Sequence, residues 1–319
     1  MSAFDAEPGL SAPAAAAPKR QKKQRSLSHT SGIVVLCLVT LLWGINWPIT
    51  KIAVTEIPVW TFRAISLLVG GFGLLLLCVL RGASLRIARR EIWPILLVTL
   101  FNVIAWQLCS AFGLFFLPSG RASILALTMP LWAALLSIPV LGEKLTVATT
   151  ISLLLGLIAL GAMVGPQFSE IMAHPIGIVL MLAAAISWAL GTVLFKYYRW
   201  TSSTALLTGW QLVLGGLPVL IGALISDRSL DLRAVSSEAW LATAYTSTAA
   251  MIFCQWAWLR VVTMFPTAIA GLGIVAIPAV GVISGALLLG ESVTGDVFIS
   301  LSATMLALIV VFMKPKKQV

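Results

Sequence analysis

Charged side chains are scarce in this chain. Only 10% of its 319 residues are Asp, Glu, Lys or Arg, whereas 60% are hydrophobic. Soluble domains carry about a quarter charged residues, so this composition excludes an ordinary soluble fold. The apolar residues form long unbroken runs, which also excludes a membrane β-barrel, because barrel strands alternate apolar and polar residues. The composition therefore predicts an all-α polytopic membrane protein.

The groups that carry most enzyme chemistry are also few. The chain has 11 acidic residues and two histidines, and His29 and His174 both lie outside the apolar runs. No apolar run holds an acidic residue at its middle, and no phosphate-binding loop, zinc-peptidase motif or serine-hydrolase motif is present. The sequence therefore argues against a membrane enzyme and against a carboxylate proton relay. We expect no cofactor and no metal.

The net charge of +10 could suggest a nucleic-acid partner, but its distribution argues for a membrane. Basic residues cluster before the first apolar run, between the second and third runs, and after the last. With a cytoplasmic N-terminus, sixteen basic residues lie on the cytoplasmic side, and the outer loops hold only Arg121, Arg228 and Arg233. This distribution follows the positive-inside rule. It predicts cytoplasmic termini, contact with anionic membrane lipid and no nucleic-acid partner.

The apolar runs predict ten membrane-spanning helices, each near the length of about 20 residues that a bilayer requires. Residues 1–31 are predicted to be a disordered, basic cytoplasmic tail, and residues 314–319 a second basic tail. The predicted spans are 33–54, 58–80, 93–116, 120–141, 146–165, 175–195, 204–226, 238–259, 264–289 and 295–313.

The chain also repeats itself, which divides the membrane domain into residues 32–166 and 167–313. Each copy holds five predicted spans, an odd number, so the second copy enters the membrane in the opposite orientation. The sequence therefore predicts two inverted five-helix repeats, in which a substrate site lies near mid-membrane between the copies. The matched pairs are Gln107 with Gln255, Pro130 with Pro278 and Glu143 with Glu291 at a shift of 148 residues, and Trp43 with Trp188 and Lys51 with Lys196 at a shift of 145.

Polar and aromatic side chains share one face of the first predicted span. Trp43, Asn46, Trp47 and Lys51 stand at positions i, i+3, i+4 and i+8, which places them on one side of a helix. We interpret this face as part of a substrate cavity. Two roles are open for Lys51: an ammonium at the mouth of a polar cavity, or a lysine that extends to the outer lipid headgroups.

Arg63 is a charge inside the second predicted span. Such charges usually face protein or water rather than lipid. Glu56 is a possible partner, so Arg63 either forms a structural ion pair or contacts substrate. The second copy has Thr208 at this position.

Further amides and aromatics are candidates for the same cavity. Buried amides bond neighbouring helices as readily as they bind ligands, so both roles are open. These candidates are Asn102, Trp106, Gln107, Trp188, Tyr245 and Gln255.

Spans four and nine carry features suited to motion. Each has a proline near its middle, Pro130 and Pro278, and the ninth adds Gly281 and Gly285 at a spacing that lets helices approach closely. A proline-weakened, closely packed helix can bend, although a fixed kink is the alternative.

Glu143 and Glu291 end the repeated Leu-Gly-Glu motif. Each stands shortly before a predicted helix, where a negative charge offsets the helix dipole. We predict that each caps the helix that follows it.

These residues resemble the EamA family of the drug/metabolite transporter superfamily. The resemblance rests on Trp43-Gly44-x-Asn46 with Lys51, on Arg63, and on a span-four proline followed by Leu-Gly-Glu, and it covers about residues 33–313. It implies ten helices in two inverted repeats around a central cavity, with spans five and ten at the side. It further implies a bacterial inner (plasma) membrane and cytoplasmic termini. The 12 tryptophans resemble the branch that exports aromatic amino acids.

The leading functional hypothesis is a carrier that works by alternating access and exports a small-molecule substrate, namely aromatic or other neutral amino acids. The alternatives are efflux of aromatic cations, transport of anionic phosphorylated metabolites, a passive channel and a membrane scaffold subunit. The sequence does not determine the oligomeric state, and a monomer is compatible with it.

Overall fold

The computed structural model describes residues 29–143, 147–164, 175–227, 231, 233–264 and 267–312. Within these residues every regular element is a helix and no strand occurs. The predicted all-helical class is therefore confirmed. The C-terminal tail and nearly all of the predicted N-terminal tail lie outside the described residues.

The described residues form ten helical segments in chain order. Six of them (α1 from Gly32, α2, α3, α4, α6 and α7) are long and apolar enough to cross a membrane, and shorter apolar helices cover Ala276–Leu289 and Gly295–Val310. The chain is thus a multi-pass membrane protein. The segments are α1 (His29–Glu56), α2 (Val59–Leu80), α3 (Arg89–Phe116), α4 (Ser119–Leu141), α5 (Val147–Val164), α6 (Ile176–Tyr197), α7 (Thr204–Ser226), α8 (Ser237–Tyr245, Thr246–Cys254 and Gln255–Met264), α9 (Thr267–Leu289) and α10 (Gly295–Phe312).

The two predicted proline kinks have different surroundings. In α4 the helix Ser119–Ala126 ends at a turn, and Pro130 lies at the start of the next helix, Met129–Leu141. Pro278 instead lies inside the continuous helix α9. A proline in the first turn of a helix sacrifices no hydrogen bond, whereas one in the interior does. The equivalent prolines therefore have different local effects.

Both α3 and α8 contain a wide π-helical stretch. It covers Leu100–Ala105 in α3 and Thr246–Cys254 in α8, and the 148-residue shift places the first within the second. A π turn interrupts the regular backbone ladder and often marks a functional site.

Side chains from neighbouring helices bond the carbonyls of these π stretches. Ser187 of α6 donates from Oγ to the Phe101 carbonyl at 2.6 Å. Trp43 of α1 donates from Nε1 to the Ala250 carbonyl at 3.3 Å. Each irregular stretch is thus held by a helix of the other half of the chain.

The contacts between helices recur when the two halves are exchanged. The α1 helix packs on α8 and α9, and α6 packs correspondingly on α3 and α4. Likewise α2 packs on α8, and α7 on α3. The pairs α2–α7, α4–α9 and α5–α10 join equivalent helices of the two halves. The two halves therefore interleave, and most of their packing crosses from one half to the other.

One polar contact at the helix ends occurs twice with its roles exchanged. Ser236 donates from its backbone N and its Oγ to the Glu56 carboxylate, both at 2.7 Å. The positions 145 residues away hold Thr201 and Glu91, and here Thr201 donates to the Glu91 carboxylate from Oγ at 2.6 Å and from its backbone N. The pairing is retained although the acidic residue has changed helix.

The repeated Leu-Gly-Glu motif has a backbone reason. Gly142 and Gly290 have φ angles of 67° and 66°, the left-handed conformation that ends a helix and favours glycine. The residue after each glycine donates its N–H back to the helix: Glu143 to Ser137 and Glu291 to Gly285, each at 3.3 Å.

Helix α9 approaches α4 without room for a side chain. A Cβ atom on Gly281 would lie 2.8 Å from Ser123 Oγ, and one on Gly285 would lie 2.5 Å from the Glu291 Oε2 atom. The small residues of α9 therefore allow a close helix contact.

Candidate functional site

Four helices meet at one end of the bundle, where α1 and α3 end and α2 and α8 begin. Their terminal turns form a buried apolar cluster, which we call the plug, and the packed side chains close this end of the bundle. The plug consists of Ala53, Val54, Ile57, Val59, Phe62, Ala111, Ala239 and Ala242.

Polar side chains lie within about two turns of the plug on the same four helices. Because the four helices share the plug, residues a similar distance beyond it stand at a similar depth. Asn46 is half-buried and the others are buried. This set, which we call the polar layer, is Asn46 and Thr50 of α1, Arg63 and Ser66 of α2, Gln107 and Ser110 of α3, and Thr243, Thr246 and Ser247 of α8.

Hydrogen bonds within the polar layer cross between the halves. Thr246 donates from Oγ1 to Asn46 Oδ1 at 3.0 Å. Gln107 donates from Nε2 to Met251 Sδ at 3.8 Å, and a thioether is a weak acceptor.

Three polar atoms of the layer are buried without a hydrogen-bond partner among the described residues. More than about nine in ten buried polar groups in proteins have a partner, so this concentration is unusual. The layer therefore has unused capacity to bond a ligand or water. The three atoms are Thr50 Oγ1, Arg63 Nε and Ser66 Oγ.

Arg63 is 5% exposed, and its Cζ atom lies 5.0 Å from the centre of the Phe62 ring. In the part of the chain that the structure describes, no acidic side chain forms an ion pair with it. The possible ion pair between Arg63 and Glu56 does not form, because both Glu56 carboxylate oxygens accept hydrogen bonds from Ser236 instead.

Lys51 binds the end of α3. Its Nζ atom donates to the carbonyls of Leu114, Phe115 and Leu117 at 2.6, 2.8 and 3.0 Å. The last carbonyls of a helix have no partner within it and carry partial negative charge, so an ammonium is favoured there. This helix-capping contact was not predicted from the sequence.

Several predicted aromatic candidates lie beside the polar layer. The rings of Trp106 and Trp188 are 5.4 Å apart, and Trp47 packs against the same core cluster as Trp106. Trp43 lies 5.9 Å from Trp258. In sequence Trp47 adjoins Asn46 of the layer and Trp106 adjoins Gln107. We call Trp47, Trp106 and Trp188, which are half-buried, the indole wall.

Besides Trp43, Lys51 and the indole wall, three further predicted candidates lie outside the layer. A Cβ atom on Gly191 would lie 2.2 Å from Asn102 Oδ1, so Asn102 packs closely on α6. The Tyr245 hydroxyl donates to the Leu42 carbonyl at 2.8 Å. Gln255 follows Ser247 by eight residues and lies just beyond the far end of the π stretch of α8. The structure thus brings Asn46, Arg63 and Gln107 together and separates these three from them.

The hydroxyl residues of the layer were not identified as candidates from the sequence. Thr243 donates to the Ala239 carbonyl at 2.8 Å and Ser247 to the Thr243 carbonyl at 2.7 Å. Serine and threonine commonly bond the carbonyl of the preceding turn in this way. Their presence in a helix therefore gives little indication of a site.

A cavity of about 430 Å³ adjoins the plug from the helix-end side, and Glu56, Pro58, Asp227 and Val235 contribute to its lining. A second cavity of about 220 Å³ has an apolar lining that includes Leu85, Ile95 and Trp210. None of the predicted substrate-cavity residues lines either of these two cavities. The plug thus separates the larger cavity from the polar layer.

The loop glutamates differ from the prediction. Glu291 accepts from the backbone N and Oγ of Ser119 at 2.6 and 2.9 Å and from the backbone N of Gly120 at 3.0 Å. It therefore caps α4 of the other half, and the predicted cap of the following helix is wrong. Glu143 forms an exposed ion pair with Lys196. Residues 144–146, which precede α5, lie outside the described part of the chain.

Comparisons with known proteins agree on one family. The model of the EamA-like transporter family matches residues 30–165 and again residues 175–313. An uncharacterized transporter of Bacillus subtilis, YvbV, is 30% identical over 224 residues, which cover 70% of each chain. A probable amino-acid metabolite efflux pump of Escherichia coli is 25% identical over 287 residues, covering 86% of this chain and 91% of the pump.

A solved structure has a similar fold. A protein crystal structure matches 89% of this chain and 97% of its own with a TM-score of 0.63. At 20% identity this likeness shows the fold alone.

Proposed function

The chain belongs to the EamA-like transporter family, and from this premise we propose that it is an alternating-access carrier that exports small neutral amino acids, with aromatic ones preferred. The carrier saturates with substrate and moves it down its gradient or in exchange for a second substrate. Its ten helices form two inverted five-helix repeats in a bacterial inner membrane, with both termini in the cytoplasm.

The observation that carries this proposal is the polar layer. Lipid-facing positions exclude unpaired polar groups, because an unsatisfied polar atom in hydrocarbon costs several kcal/mol. Here nine polar side chains from four helices lie inside an apolar bundle, and Thr246 and Asn46 bond across the two halves. A wet site between two repeats is where transporters of this architecture hold their substrates.

The chemistry of the layer and of the indole wall suits a zwitterion with an apolar side chain. Amide and hydroxyl groups can bond both an ammonium and a carboxylate. The indoles of Trp106 and Trp188 offer flat apolar surfaces on which a ring can pack, with a contribution of about 1 kcal/mol per aromatic contact. Relatives in Salmonella typhimurium and Escherichia coli carry the name probable amino-acid metabolite efflux pump, which supports this substrate class.

The inverted arrangement is supported by the exchangeable helix contacts, by the π stretches at equivalent positions, and by the two separate family matches. Repeats that pack on one another through equivalent contacts can exchange conformations. The plug then closes the site towards one side of the membrane, and opening it exposes the polar layer to that side.

Counterflow into proteoliposomes tests the function. Vesicles loaded with unlabelled L-phenylalanine should accumulate labelled L-phenylalanine through the wild-type protein, with a rate that saturates. A parallel screen of the twenty amino acids and several aromatic cations should show thermal stabilisation of the purified protein by neutral amino acids. Stabilisation by cations alone would reject the substrate class, and flux that never saturates would indicate a channel.

Variants of the polar layer connect this test to the site. Asn46→Ala and Gln107→Ala should lower counterflow at least about tenfold while the yield of folded protein changes little, since each removes a bond worth about 1.5 kcal/mol to a charged ligand. Gln255→Ala, an amide outside the layer, is the matched control and should retain the wild-type rate. Unchanged rates in all three variants would assign the amides to helix packing.

A further inference from the structure

We infer that the Arg63 guanidinium binds the carboxylate of the transported molecule, so that the substrate enters the site with its acid group towards the plug. This inference rests on the proposed carrier function and makes it more specific. It requires a substrate with a free carboxylate and excludes amines and amides of the same shape.

The buried positive charge of Arg63 requires a partner that compensates for its lost hydration. Arginine stays protonated in proteins, so this side chain cannot avoid the cost of burial by losing its proton. A buried ion without a partner is strongly unfavourable, and proteins therefore pair such ions or place them where a ligand pairs them. Arg63 is 5% exposed, and its Nε atom has no hydrogen-bond partner among the described residues.

Four carboxylates near this end of the bundle are engaged elsewhere. Glu56 binds Ser236, and the Asp227 carboxylate accepts from the backbone N and Oγ of Thr61 at 3.0 and 2.8 Å. Glu291 caps α4, as described above. Asp296 forms an ion pair with Arg121 at 3.0 Å. Within the described residues, each of these four carboxylates therefore binds another group, and none binds Arg63.

The polar groups at the same depth are those that a carboxylate requires. The Thr50 and Ser66 hydroxyls are buried and have no hydrogen-bond partner in the part of the chain that the structure describes, and each can donate to an oxygen anion. Ser66 lies one turn after Arg63, on the same side of α2. Asn46 uses its Oδ1 atom to accept from Thr246, so its Nδ2 amide remains as a further donor. Donors of this kind at the depth of a guanidinium favour an anion over an ammonium.

The surroundings also give the bound molecule a direction. Phe62 belongs to the plug, and the centre of its ring lies 5.0 Å from the Arg63 Cζ atom, so the cation lies next to the plug. The indole wall lies beside the layer and offers the apolar surface for the substrate side chain. The position equivalent to Arg63 in the second half is Thr208, so the second half has no matching cation. One carboxylate therefore binds in one orientation.

Ligand analogues that differ only in the acid group test this assignment. Purified protein is titrated with L-phenylalanine, L-phenylalaninamide, 3-phenylpropionate, phenethylamine and phenyl phosphate, and L-leucine with its amide serves as a second pair. The shift in melting temperature gives each Kd. We expect the wild-type protein to bind each acid about 10- to 100-fold more tightly than its amide, the range expected for a charge-assisted pair.

Variants then assign the discrimination to Arg63. Arg63→Gln should weaken binding of the acids about 10- to 100-fold and that of the amides less than about threefold, while Arg63→Lys should recover part of the loss because it keeps the charge. Thr208→Ala, at the equivalent position of the other half, should leave every Kd unchanged. If Arg63→Gln does not fold, Arg63→Lys and the wild-type analogue series still decide the question.

The outcomes separate this inference from the proposed function. Equal binding of acid and amide by the wild-type protein, with saturable amino-acid counterflow intact, would overturn the role of Arg63 and leave the carrier in place. Arg63-dependent binding of phenyl phosphate without binding of any carboxylate would also overturn it. Absence of both counterflow and amino-acid binding would instead reject the carrier function itself.

Discussion

The two halves of this protein share a scaffold and differ in the side chains that fill it. Positions of the polar layer on α1 and α2 are Asn46, Thr50, Arg63 and Ser66 in the first half. The equivalent positions in the second half hold Gly191, Phe195, Thr208 and Gln211, of which Gln211 is also a buried polar residue. Helix contacts, π stretches and terminal glycines recur in both halves, whereas the buried cation Arg63 has Thr208 at its equivalent position. The two halves therefore share their helix packing and differ in the side chains at these positions.

The matched lysines and glutamates show the same contrast in burial. Lys51 binds three backbone carbonyls of α3, and Glu291 caps α4 through three hydrogen bonds. Their equivalents, Lys196 and Glu143, form an ion pair whose side chains are 65% and 44% exposed. Exposed ion pairs contribute about 0–1 kcal/mol, whereas part-buried charged hydrogen bonds contribute more. The lysine and the glutamate therefore contribute more to stability at positions 51 and 291 than at positions 196 and 143.

The largest loss of stability is expected at the contact between α9 and α4, where the two halves differ most in the room available for a side chain. Gly281→Leu should lower the free energy of unfolding by about 3 kcal/mol, because even a Cβ atom there would lie 2.8 Å from Ser123 Oγ. Ala133→Leu, at the equivalent position of α4, should cost much less because that residue already carries a Cβ atom and is half-buried. Unfolding in mixed micelles by titration with SDS measures both. Similar losses would show that the two contacts are equally tight.

Replacing the two loop glutamates should give the next largest difference. Glu291→Ala leaves the Ser119 and Gly120 donors of α4 without an acceptor and should cost about 2–3 kcal/mol. Glu143→Ala breaks an exposed ion pair and should cost less than about 0.5 kcal/mol. The same micelle titration compares the two variants. A loss for Glu143→Ala as large as that for Glu291→Ala would contradict the contrast in burial.

Replacing the equivalent lysines, Lys51 and Lys196, should give a smaller difference in stability than replacing the glutamates. Lys51→Met keeps the aliphatic stem but removes the ammonium that three carbonyls share, and should cost about 1.5 kcal/mol. Lys196→Met should cost about 0.5 kcal/mol or less, because its ion pair is exposed. Equal stability of the two variants would mean that Lys51 contributes no more than a surface lysine.

The smallest loss of stability is expected for the hydrogen bonds to the π stretches, which both halves contain. Trp43→Phe removes the indole donor to Ala250, and Ser187→Ala removes the hydroxyl donor to Phe101. Each should cost about 1 kcal/mol, the usual contribution of one hydrogen bond. Because each donor serves a π stretch, the two losses should agree within about 0.5 kcal/mol. A loss confined to one variant would show that the π stretches are supported differently.

Much of the fold was accessible from the sequence, and the site was accessible only in part. The apolar runs predicted all of the described helices, and most of the predicted bounds lie within about three residues of the observed ones. The larger differences are at the starts of α1 and α3 and at the end of α8, where the helices extend further than predicted. Asn46, Arg63 and Gln107 were recognised because amides and charges are rare in apolar helices. The hydroxyl groups of Thr50 and Ser66 were not, because a hydroxyl that bonds its own helix and one that faces a site look alike in sequence. The π stretches also left no recognisable pattern.

The sequence by itself determined the helical class, the membrane setting, the repeated motifs and the family, since hydropathy, length and repetition are properties of the chain taken in order. Only the tertiary structure decided that Glu291 caps α4, that Lys51 caps α3, and that Glu56 binds Ser236, which leaves Arg63 without an acidic partner among the described residues. These contacts join residues more than 60 positions apart. Which donor meets which acceptor depends on the helices that become neighbours, and a buried charge is satisfied only by groups that packing brings within bonding distance.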